Sequence, residues 1–443
     1  MTDVAGDGRA VLERLRELPG GRVLLELSCG RDDIALVGGA ARDLLLGREP
    51  RELDVVVDGA AEAFAGRIVS IVDGRFAADD GQRCALERHE RFGTAVVAWK
   101  HGRIDVASRR AESYAAPGAL PDVRAGTREQ DLQRRDFTVN AISIPLGGAH
   151  RGELCAAPHA LEDLASGRLR VLHDQSFVDD PTRLLRLARY RARLGFEPDE
   201  RTARLAAEAI AAGALQTVSH ARIGAELRLA LAEPDAVAAL ESLQRLGVLS
   251  ALHEAIELDA PLARAALGEL PPSADASPDV LLLASLLLPA HAYDTTDYAT
   301  RLRALLDGFE FPAAERERAV HSAILARRLV ERLQRAQTPS QVYEVARDAP
   351  LEAVALAAAL ADAEGSGDAA DAARRWLSEL RHVRLLIGGD DLIDAGFEPG
   401  PKLGDALERV LRRRLDGELP AGREAELNAA LERVASGVRD DAS

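Results

Sequence analysis

Residues 35–58 read Ala35-Leu-Val-Gly-Gly-Ala-Ala-Arg-Asp-Leu-Leu-Leu-Gly-Arg-Glu-Pro-Arg-Glu-Leu-Asp-Val-Val-Val-Asp58, and the rest of the chain is arranged around them. The pattern predicts a strand at residues 34–37 and a turn at residues 38–39. A helix follows whose apolar run ends at Gly47, and a second strand is predicted at residues 53–57. This unit carries two kinds of polar group.

The first kind is a backbone site for an anion. Gly38 and Gly39 open the predicted helix, where unpaired N–H groups and the positive end of the helix dipole favour negative charge. Because glycine has no Cβ, a phosphate can approach the main chain closely there. Arg42 follows within the first turns and could add a charged fork to the same phosphate.

The second kind is a pair of carboxylates. Glu52 and Asp54 are two residues apart at the start of the second strand, so both should project from one face. Two hard oxygen ligands facing a phosphate cradle are what Mg²⁺-dependent phosphoryl or nucleotidyl transfer needs. The alternative is a tight turn beside a solvated strand end; the combination of both features favours the functional interpretation.

Composition sets the outer limits. The chain has 443 residues, is 47% hydrophobic and carries a formal charge of −16, which predicts two to four domains and argues against indiscriminate binding to nucleic acid. An RNA surface would have to be a local basic patch. We find no long apolar run and no signal-like N-terminus, so we expect a cytoplasmic protein with no membrane segment. Three scattered cysteines predict reduced thiols and no zinc site.

The chain changes character near residue 155. Before it, helices are predicted at residues 8–18 and 60–72, and strands at 92–99 and 103–108 form a hairpin. Asp105 alternates with apolar neighbours on the second of these strands. Beyond it the spacing is helical. We therefore predict an α+β protein, with a small α/β head that has a mixed sheet, followed by an elongated all-helical arm.

Breaks in composition divide the arm. Proline-rich residues near 261–278 and the Gly-Ser-Gly at 365–367 interrupt the helical pattern. The predicted domains are a head at residues 1–148, a neck at 149–250, a body at 251–365 and a tail at 366–443.

Residues 130–142 contain a compact set of sugar- and phosphate-binding side chains. Asp136 and Asn140 can accept from and donate to ribose hydroxyls, and Arg135 lies beside them for a phosphate. The alternative is a capped surface helix. We favour a sugar-recognition element.

A later helix start pairs a carboxylate with a guanidinium. Asp180 is a good N-cap followed by proline, and Arg183 lies three residues on. An acceptor and a donor so placed suit the Watson–Crick edge of cytosine or adenine and leave unpaired groups against uracil or guanine. A cap with an ion pair is the alternative. Arg186 and Arg189 could hold triphosphate or RNA, or face solvent.

These motifs together resemble the class II tRNA nucleotidyltransferase and bacterial poly(A) polymerase family. Its members carry a Leu-Val-Gly-Gly-x-x-Arg-Asp run followed by Asp-x-Asp, an Arg-Arg-Asp-Phe-Thr-x-Asn-Ala motif and a Glu-Asp-x-x-Arg motif. Three departures stand out: Glu52 replaces the first aspartate, Asp179 replaces the glutamate, and residues 156–160 lack the flexible Asp and glycines of the linker motif.

The resemblance implies specific roles. Glu52 and Asp54 would hold Mg²⁺, and Asp105 would assist the metals or accept the proton of the attacking hydroxyl. Asp136 and Asn140 would hold the ribose and Arg135 the phosphates. Asp180 and Arg183 would read the base. In a later motif Arg222 and Glu226 would pair and brace the helices. In the tail, Lys402, Arg412 and Arg413 would contact RNA near a Pro-Gly-Pro turn, whose alternative is a turn without a ligand.

The implied activity is template-independent addition of CMP and/or AMP from CTP or ATP to the 3′ end of tRNA, with release of pyrophosphate. Residues 114–123 and the Ser-Phe-x-x-Asp-Pro-Thr-Arg run are most similar to members that add only A. The alternatives are a catalytically impaired RNA-binding protein, a poly(A) polymerase acting on other RNAs, and transfer to a small molecule. We expect the tRNA acceptor end as partner and no obligate protein partner.

Overall fold

The computed structural model describes residues 7–80, 84–89, 93–288 and 295–432. They form two compact units. The first comprises Met1–Glu226 with Glu233–Leu252, and the second comprises Leu227–Ala232 with His253–Ser443. The predicted division into four domains stays a prediction, since this partition is coarser.

The first unit contains all the strands of the described residues. They are β1 (Ile34–Val37), β2 (Leu53–Val57), β3 (Ala85–His89), β4 (Thr94–Trp99), β5 (Gly102–Ser108), β6 (Arg110–Ser113), β7 (Asp122–Ala125), β8 (Ile142–Pro145), β9 (Cys155–Ala156), β10 (Arg168–Leu169) and β11 (Glu197–Pro198). Seven of them make one sheet in the order β3-β4-β5-β2-β1-β8-β9. The predicted hairpin is confirmed, because β4 and β5 pair through Trp99 and Gly102.

The sheet is mixed, as the sequence predicts. β2 runs parallel to β5 and antiparallel to β1, and β1 is antiparallel to β8. The β1 strand is buried at all four positions, and Ile104 and Val106 of β5 are also buried. Covered strands at the centre of a sheet read as continuous apolar runs, which is why this region is recognisable from sequence.

The described helices that begin in the first unit lie between residues 8 and 252. They are α1 (Gly8–Glu17), α2 (Pro19–Leu27), α3 (Gly38–Leu45), α4 (Ala61–Asp80), α5 (Arg128–Gln133), α6 (Ala160–Ser166), α7 (Ser176–Asp179), α8 (Thr182–Leu194), α9 (Glu200–Ala211), α10 (His220–Leu231), α11 (Ala236–Arg245) and α12 (Val248–Leu252). The predicted helix at residues 8–18 is confirmed as α1. Asp7 caps it by accepting from the main-chain N–H of Arg9 at 2.9 Å.

The second unit is helical throughout its described residues. Its helices are α13 (Ala260–Glu269), α14 (Pro278–Leu286), α15 (Thr295–Gly308), α16 (Ala313–Arg335), α17 (Pro339–Ala346), α18 (Leu351–Ala363), α19 (Gly367–Ser378), α20 (Gly389–Asp394), α21 (Pro401–Leu415) and α22 (Arg423–Leu431). The α18 helix is buried from Leu351 to Ala361 and packs against α13, α14, α16 and α19. Its alanines allow these neighbours to approach closely.

Two further features complete the second unit. Glu352 is fully buried on α18. It accepts hydrogen bonds from Nε and Nη2 of Arg318, each at 2.8 Å, so its charge is paired. A separate small core at the C-terminal end joins Leu392, Ala406, Val410 and Ala430. The predicted α+β class is confirmed. Within the described ranges, no helix has the length and apolarity needed to cross a bilayer.

Candidate active site

The glycine turn lies where β1 meets α3. Gly38 has φ +66°, a conformation that strains any residue with a Cβ. A Cβ built on Gly38 would lie 2.8 Å from Nη1 of Arg135, so the guanidinium lies directly against the turn. Because Gly38 and Gly39 are the first two residues of α3, their N–H groups belong to the unpaired end of the helix. The turn therefore offers bare backbone beside a guanidinium.

Arg135 is held against this turn. Its Nη2 donates to Asp131 at 3.0 Å and its Nη1 to the carbonyl of Asn140 at 3.4 Å. Its Nε is buried and has no partner among the described residues. An arginine with an unused donor beside a glycine turn is suited to bind a phosphate. The predicted phosphate role of Arg135 fits this position.

The two carboxylates flank the same turn. Glu52 immediately precedes β2 and Asp54 is its second residue. Oδ2 of Asp54 lies 3.6 Å from the Cβ position of both Gly38 and Gly39. Burial, and then the negative charges of Glu52 and Asp105, raise the pKa of Asp54 to about 7. Arg135 and the main chain of Ala40 act in the opposite direction but do not cancel these effects.

This donor set fits a divalent metal ion. Carboxylate oxygens are the preferred ligands of hard cations, and crowded negative charge is what a cation would relieve. Across residues 7–80, 84–89, 93–288 and 295–432, no three His, Cys, Asp or Glu side chains already converge as a ligand set. Two carboxylates completed by phosphate oxygens and water are sufficient for Mg²⁺ in nucleotide sites.

Asp105 lies on the same face of the sheet as Asp54 and is paired with Arg103. The two aspartates are paired in the parallel register of β2 and β5. Both oxygens of Asp105 accept from Arg103, at 2.7 and 2.9 Å. The charges of Asp105, Glu52 and Asp54 all raise the pKa of Arg103. Sequence reasoning missed Arg103, although its spacing of two from Asp105 on one strand indicates a shared face.

Arg42 makes contacts within the protein, and its contact with a phosphate stays a prediction. Its side chain is only 1% exposed. Its Nη1 donates to Oδ1 of Asn140 at 2.6 Å, its Nε donates to Asp43 at 2.8 Å, and the guanidinium lies 5.3 Å from the centre of the Tyr190 ring. Arg42 therefore ties α3 to the sugar-recognition residues, and its Nη2 also lies 3.6 Å from the Cβ position of Gly39 in the turn.

Asp136 and Asn140 lie in one buried network. Oδ1 of Asp136 accepts from Asn140 at 2.9 Å, and Oδ2 accepts from Arg186 at 2.6 Å. Burial alone would raise the pKa of Asp136, but the charge of Arg186 and these hydrogen bonds hold it well below its ordinary value. The structure brings the two predicted ribose ligands together, and their contact with ribose stays a prediction.

Arg186 and Arg189 extend this network along α8. Arg186 reaches Glu226 at 3.5 Å as well as Asp136, and lies 5.6 Å from the Tyr190 ring centre. Arg189 is 8% exposed and pairs with Glu226 at 2.5 Å and Glu233 at 3.3 Å. Both of its partners are buried carboxylates of the protein, and the predicted contact of Arg189 with triphosphate or RNA stays a prediction. Arg186 keeps about a third of its side chain exposed.

The two predicted base-reading residues have separate partners. Asp180 caps α8 by accepting from Thr182 N at 3.1 Å and from its hydroxyl at 2.6 Å. Arg183 is buried and donates to the Ser176 hydroxyl at 2.6 Å and to the Arg134 carbonyl at 2.8 Å. The alternative of an ion pair between Asp180 and Arg183 is not what the structure shows, and their contact with a base stays a prediction.

Arg222 also departs from expectation. The predicted pair with Glu226 is wrong, since Glu226 pairs with Arg186 and Arg189. Arg222 instead donates to Oδ1 of Asp180 at 2.8 Å and to the carbonyl of Gly118 at 2.9 Å. No sequence signal links these positions, since Gly118 is 104 residues away.

The predicted RNA contacts of the tail lie on α21. Lys402 is exposed at its second position. Arg412 pairs with Glu344 at 2.7 Å and Arg413 with Glu432 at 2.7 Å, and both remain at least a third exposed. These three cations are therefore accessible, and their contact with RNA stays a prediction.

Comparison with known proteins supports the motif assignments. Residues 34–170 match the model of the poly A polymerase head domain. An A-adding tRNA nucleotidyltransferase of Geobacter sulfurreducens is 32% identical over 94% of this chain and 47% of its own length. One of Halalkalibacterium halodurans is 40% identical over 50% of each protein. The chain thus spans about half the length of these relatives.

A solved structure extends the similarity to the whole chain. The Thermotoga maritima CCA-adding enzyme complexed with tRNA has a TM-score of 0.71 and 26% identity, covering 97% of this chain and 98% of that one. The helical second unit is therefore shared as well as the head. The resemblance drawn from the motifs is confirmed: residues 34–170 match the poly A polymerase head domain, and the chain is similar to tRNA nucleotidyltransferases.

Proposed function

We propose that this chain is a template-independent RNA nucleotidyltransferase that adds nucleotides to the 3′ end of tRNA. AMP from ATP is the nucleotide we favour, and CMP from CTP is the second. The observation that carries the proposal is the position of Asp54, whose Oδ2 lies 3.6 Å from the Cβ positions of the two glycines that open α3. A phosphate cradle and a carboxylate pair are thus within reach of one triphosphate.

Substrate binding begins with the anion. The N–H groups of Gly38 and Gly39 and the unused Nε of Arg135 would bind the β- and γ-phosphates. Asp136 and Asn140 would fix the ribose through the network that Arg42 and Arg186 hold rigid. Rigid support of this kind places the α-phosphate where an incoming hydroxyl can attack in line.

The chemical step is one substitution at phosphorus. The 3′ hydroxyl oxygen of the tRNA forms a bond to the α-phosphorus while the bond from that phosphorus to the bridging oxygen breaks, and pyrophosphate leaves. Glu52 and Asp54 would hold Mg²⁺, which when bound neutralises charge that develops on the phosphate oxygens. Asp105, on the same face, is placed to take the hydroxyl proton once Arg103 releases it.

The choice of AMP rests on two supports. The two relatives described above are named as A-adding enzymes. Asp180 presents an acceptor to a base, and adenine and cytosine each offer an amino donor on the Watson–Crick edge. We place the reaction in the cytoplasm, with the acceptor end of tRNA as partner.

Incubation with three tRNA substrates tests the proposal. The protein is mixed with Mg²⁺, labelled ATP or CTP, and tRNA ending before the CCA sequence, after its first C, or after CC. We expect AMP on the CC end. CMP on the shorter ends would identify the CCA- or CC-adding activities, and incorporation into unrelated RNA would identify a poly(A) polymerase. No incorporation from any combination would contradict the proposal and favour an RNA-binding protein without activity.

A further inference from the structure

We propose that Arg222 is a positioning residue for base selection, which orients the carboxylate of Asp180 and fixes the loop after β6 beside it. This inference rests on the proposed function, because it concerns how that reaction distinguishes one nucleotide from another. It assigns to a residue of α10 a role that the sequence predicted only as helix bracing.

The first support is that one guanidinium bridges two segments. Nη2 of Arg222 donates to Oδ1 of Asp180 at 2.8 Å, and Nη1 donates to the carbonyl of Gly118 at 2.9 Å. A third contact closes the triangle, because the N–H of Gly118 donates to the carbonyl of Val178 at 3.1 Å. Arginine can make both side-chain contacts since its fork presents nitrogens in fixed directions, and lysine cannot.

The second support is the asymmetry of the Asp180 carboxylate. Oδ1 accepts three hydrogen bonds, from the N–H and hydroxyl of Thr182 and from Arg222. Within the described contacts, none ends on Oδ2. The Asp180 side chain is 20% exposed, so the carboxylate is not sealed inside the protein. Fixing Oδ1 leaves Oδ2 as an oriented acceptor for the amino group of adenine or cytosine, and the keto oxygen of guanine or uracil would meet it unfavourably.

The third support is the loop itself, residues 114–121 between β6 and β7. Gly118 has φ +70°, and a Cβ there would overlap the hydroxyl of Thr217, so the loop is packed against residues 214–217. At its start, the Tyr114 hydroxyl donates to Glu112 at 3.2 Å. Burial, and to a lesser degree the charges of Glu112 and Asp180, raise the pKa of Tyr114 to about 12, although the charge of Arg183 opposes this. The loop therefore lines the same space as the base-reading residues.

The experiment compares nucleotide discrimination in R222K and R222M with that of the intact protein. We measure kcat/KM for ATP and for GTP on tRNA ending in CC, and we measure equilibrium binding of both nucleotides separately. A bidentate contact to a base provides roughly 5- to 150-fold discrimination, and Asp180 offers a single oxygen, so we expect R222M to lose about fivefold of the ATP preference, mainly through the KM for ATP. R222K keeps the charge but only one of the two contacts, so its ATP preference should lie between those of the intact protein and R222M.

Two comparisons separate positioning from general stabilisation. Arg170 is a matched control, since it is 22% exposed against 25% for Arg222 and bridges Asp163 and Asp199 in the same unit. R170K and R170M should leave the ATP-to-GTP ratio unchanged. In a double-mutant cycle with D180A, adding R222M should cause no further loss of discrimination, because Arg222 acts through Asp180.

Each result decides between outcomes. Folded R222M that keeps the wild-type ratio in both kinetics and binding overturns the inference, as does a loss that adds fully to that of D180A. Intact protein that discriminates ATP from GTP in binding but incorporates neither contradicts the proposed function alone, and the binding ratios of the variants still test Arg222. Intact protein that binds neither nucleotide overturns both.

Discussion

Asp54 of β2 and Asp105 of β5 lie opposite each other in a parallel pair of strands, so two carboxylates project from one face beside Glu52. Burial and this crowding raise the pKa of Asp54 from its ordinary value to about 7. Between about pH 4 and pH 7, Asp54 therefore keeps a proton in the folded protein that it has already released in the unfolded chain. Stability linked to this group is present below about pH 4 and is lost as the pH rises towards 7.

Asp54→Asn should remove that pH dependence. In metal-free buffer, its free energy of unfolding should exceed that of the intact protein by an amount that grows from pH 5 to pH 8, while nucleotide incorporation is abolished. Urea denaturation across this range measures the difference. Asp122→Asn, on the exposed strand β7, should show no such trend. An equal effect of Asp54→Asn at both ends of the range would contradict the raised pKa.

Gly38→Ala and Gly39→Ala should separate backbone strain from phosphate access. Gly38 has φ +66°, which strains a residue with a Cβ, so its replacement should destabilise the fold by about 1–2 kcal/mol. A Cβ on Gly39 meets its nearest atoms at 3.6 Å, an ordinary contact. Both variants should raise the KM for ATP, and only the first should lower the unfolding midpoint. Wild-type KM in Gly39→Ala would argue against a phosphate cradle.

Arg103→Ala should increase the affinity for Mg²⁺. Its guanidinium pairs with Asp105 at 2.7 Å and its pKa is raised by all three carboxylates, so it competes with a metal cation for their negative charge. The Mg²⁺ concentration for half-maximal activity should fall several-fold. Arg88→Ala, on the exposed face of β3, removes the same charge and should change little. An increased Mg²⁺ requirement in Arg103→Ala would show that Arg103 supports the site instead.

Arg189→Met should destabilise the first unit without altering nucleotide recognition. In this variant Glu226 keeps Arg186 as a partner, and Glu233 keeps Arg51 and Arg193. The cost should therefore stay below the value of about 3–5 kcal/mol for a buried ion pair broken from one side. Arg204→Met, whose partner Glu208 is also exposed, should have a negligible effect. Chemical denaturation measures both. A large increase in the KM for ATP, at a temperature where the variant is folded, would identify Arg189 as a substrate ligand.

Lys402→Ala should weaken tRNA binding and leave nucleotide affinity unchanged. The side chain is exposed at the start of α21, and removing a cation that binds one phosphate reduces the slope of log affinity against log salt by about 1. Arg412→Ala and Arg413→Ala should add to this effect, with smaller steps because both are already ion-paired. Filter binding at several salt concentrations measures the slope. Unchanged slopes in all three variants would favour a tail turn without a ligand.

The frame of the site could be predicted because its signals are local. The strand, glycine turn and second strand at residues 34–57 follow from apolar runs and from the residue types that turns require. The sequence pattern does not reveal the α2 helix or strands β6–β8, since they are short or begin within polar segments. The run from Arg134 to Asn140, expected as one turn and helix, is divided between the end of α5 and a short 3₁₀ turn.

The partners of the arginines could not be predicted. Whether Arg42 faces a ligand or the interior depends on Asn140, 98 residues away, and on the ring of Tyr190. Similarly, the spacing of Arg222 and Glu226 permits a helical pair, but Asp180 and Gly118 take the arginine instead. Sequence spacing predicts which side chains lie on the same face of a helix or strand. Which residues contact that face depends on how the helices and strands pack together.

The central position of the alanine-rich α18 helix affects how the second unit unfolds. Stacked helical repeats can fray from their ends, because each repeat touches only its neighbours. Here α13, α14, α16 and α19 all pack against the buried α18, so the loss of any one of them exposes apolar surface of α18. Loss of order should therefore spread through these five helices in a single all-or-none transition, and a bulky replacement for one buried methyl group, such as Ala357→Leu, should weaken them together.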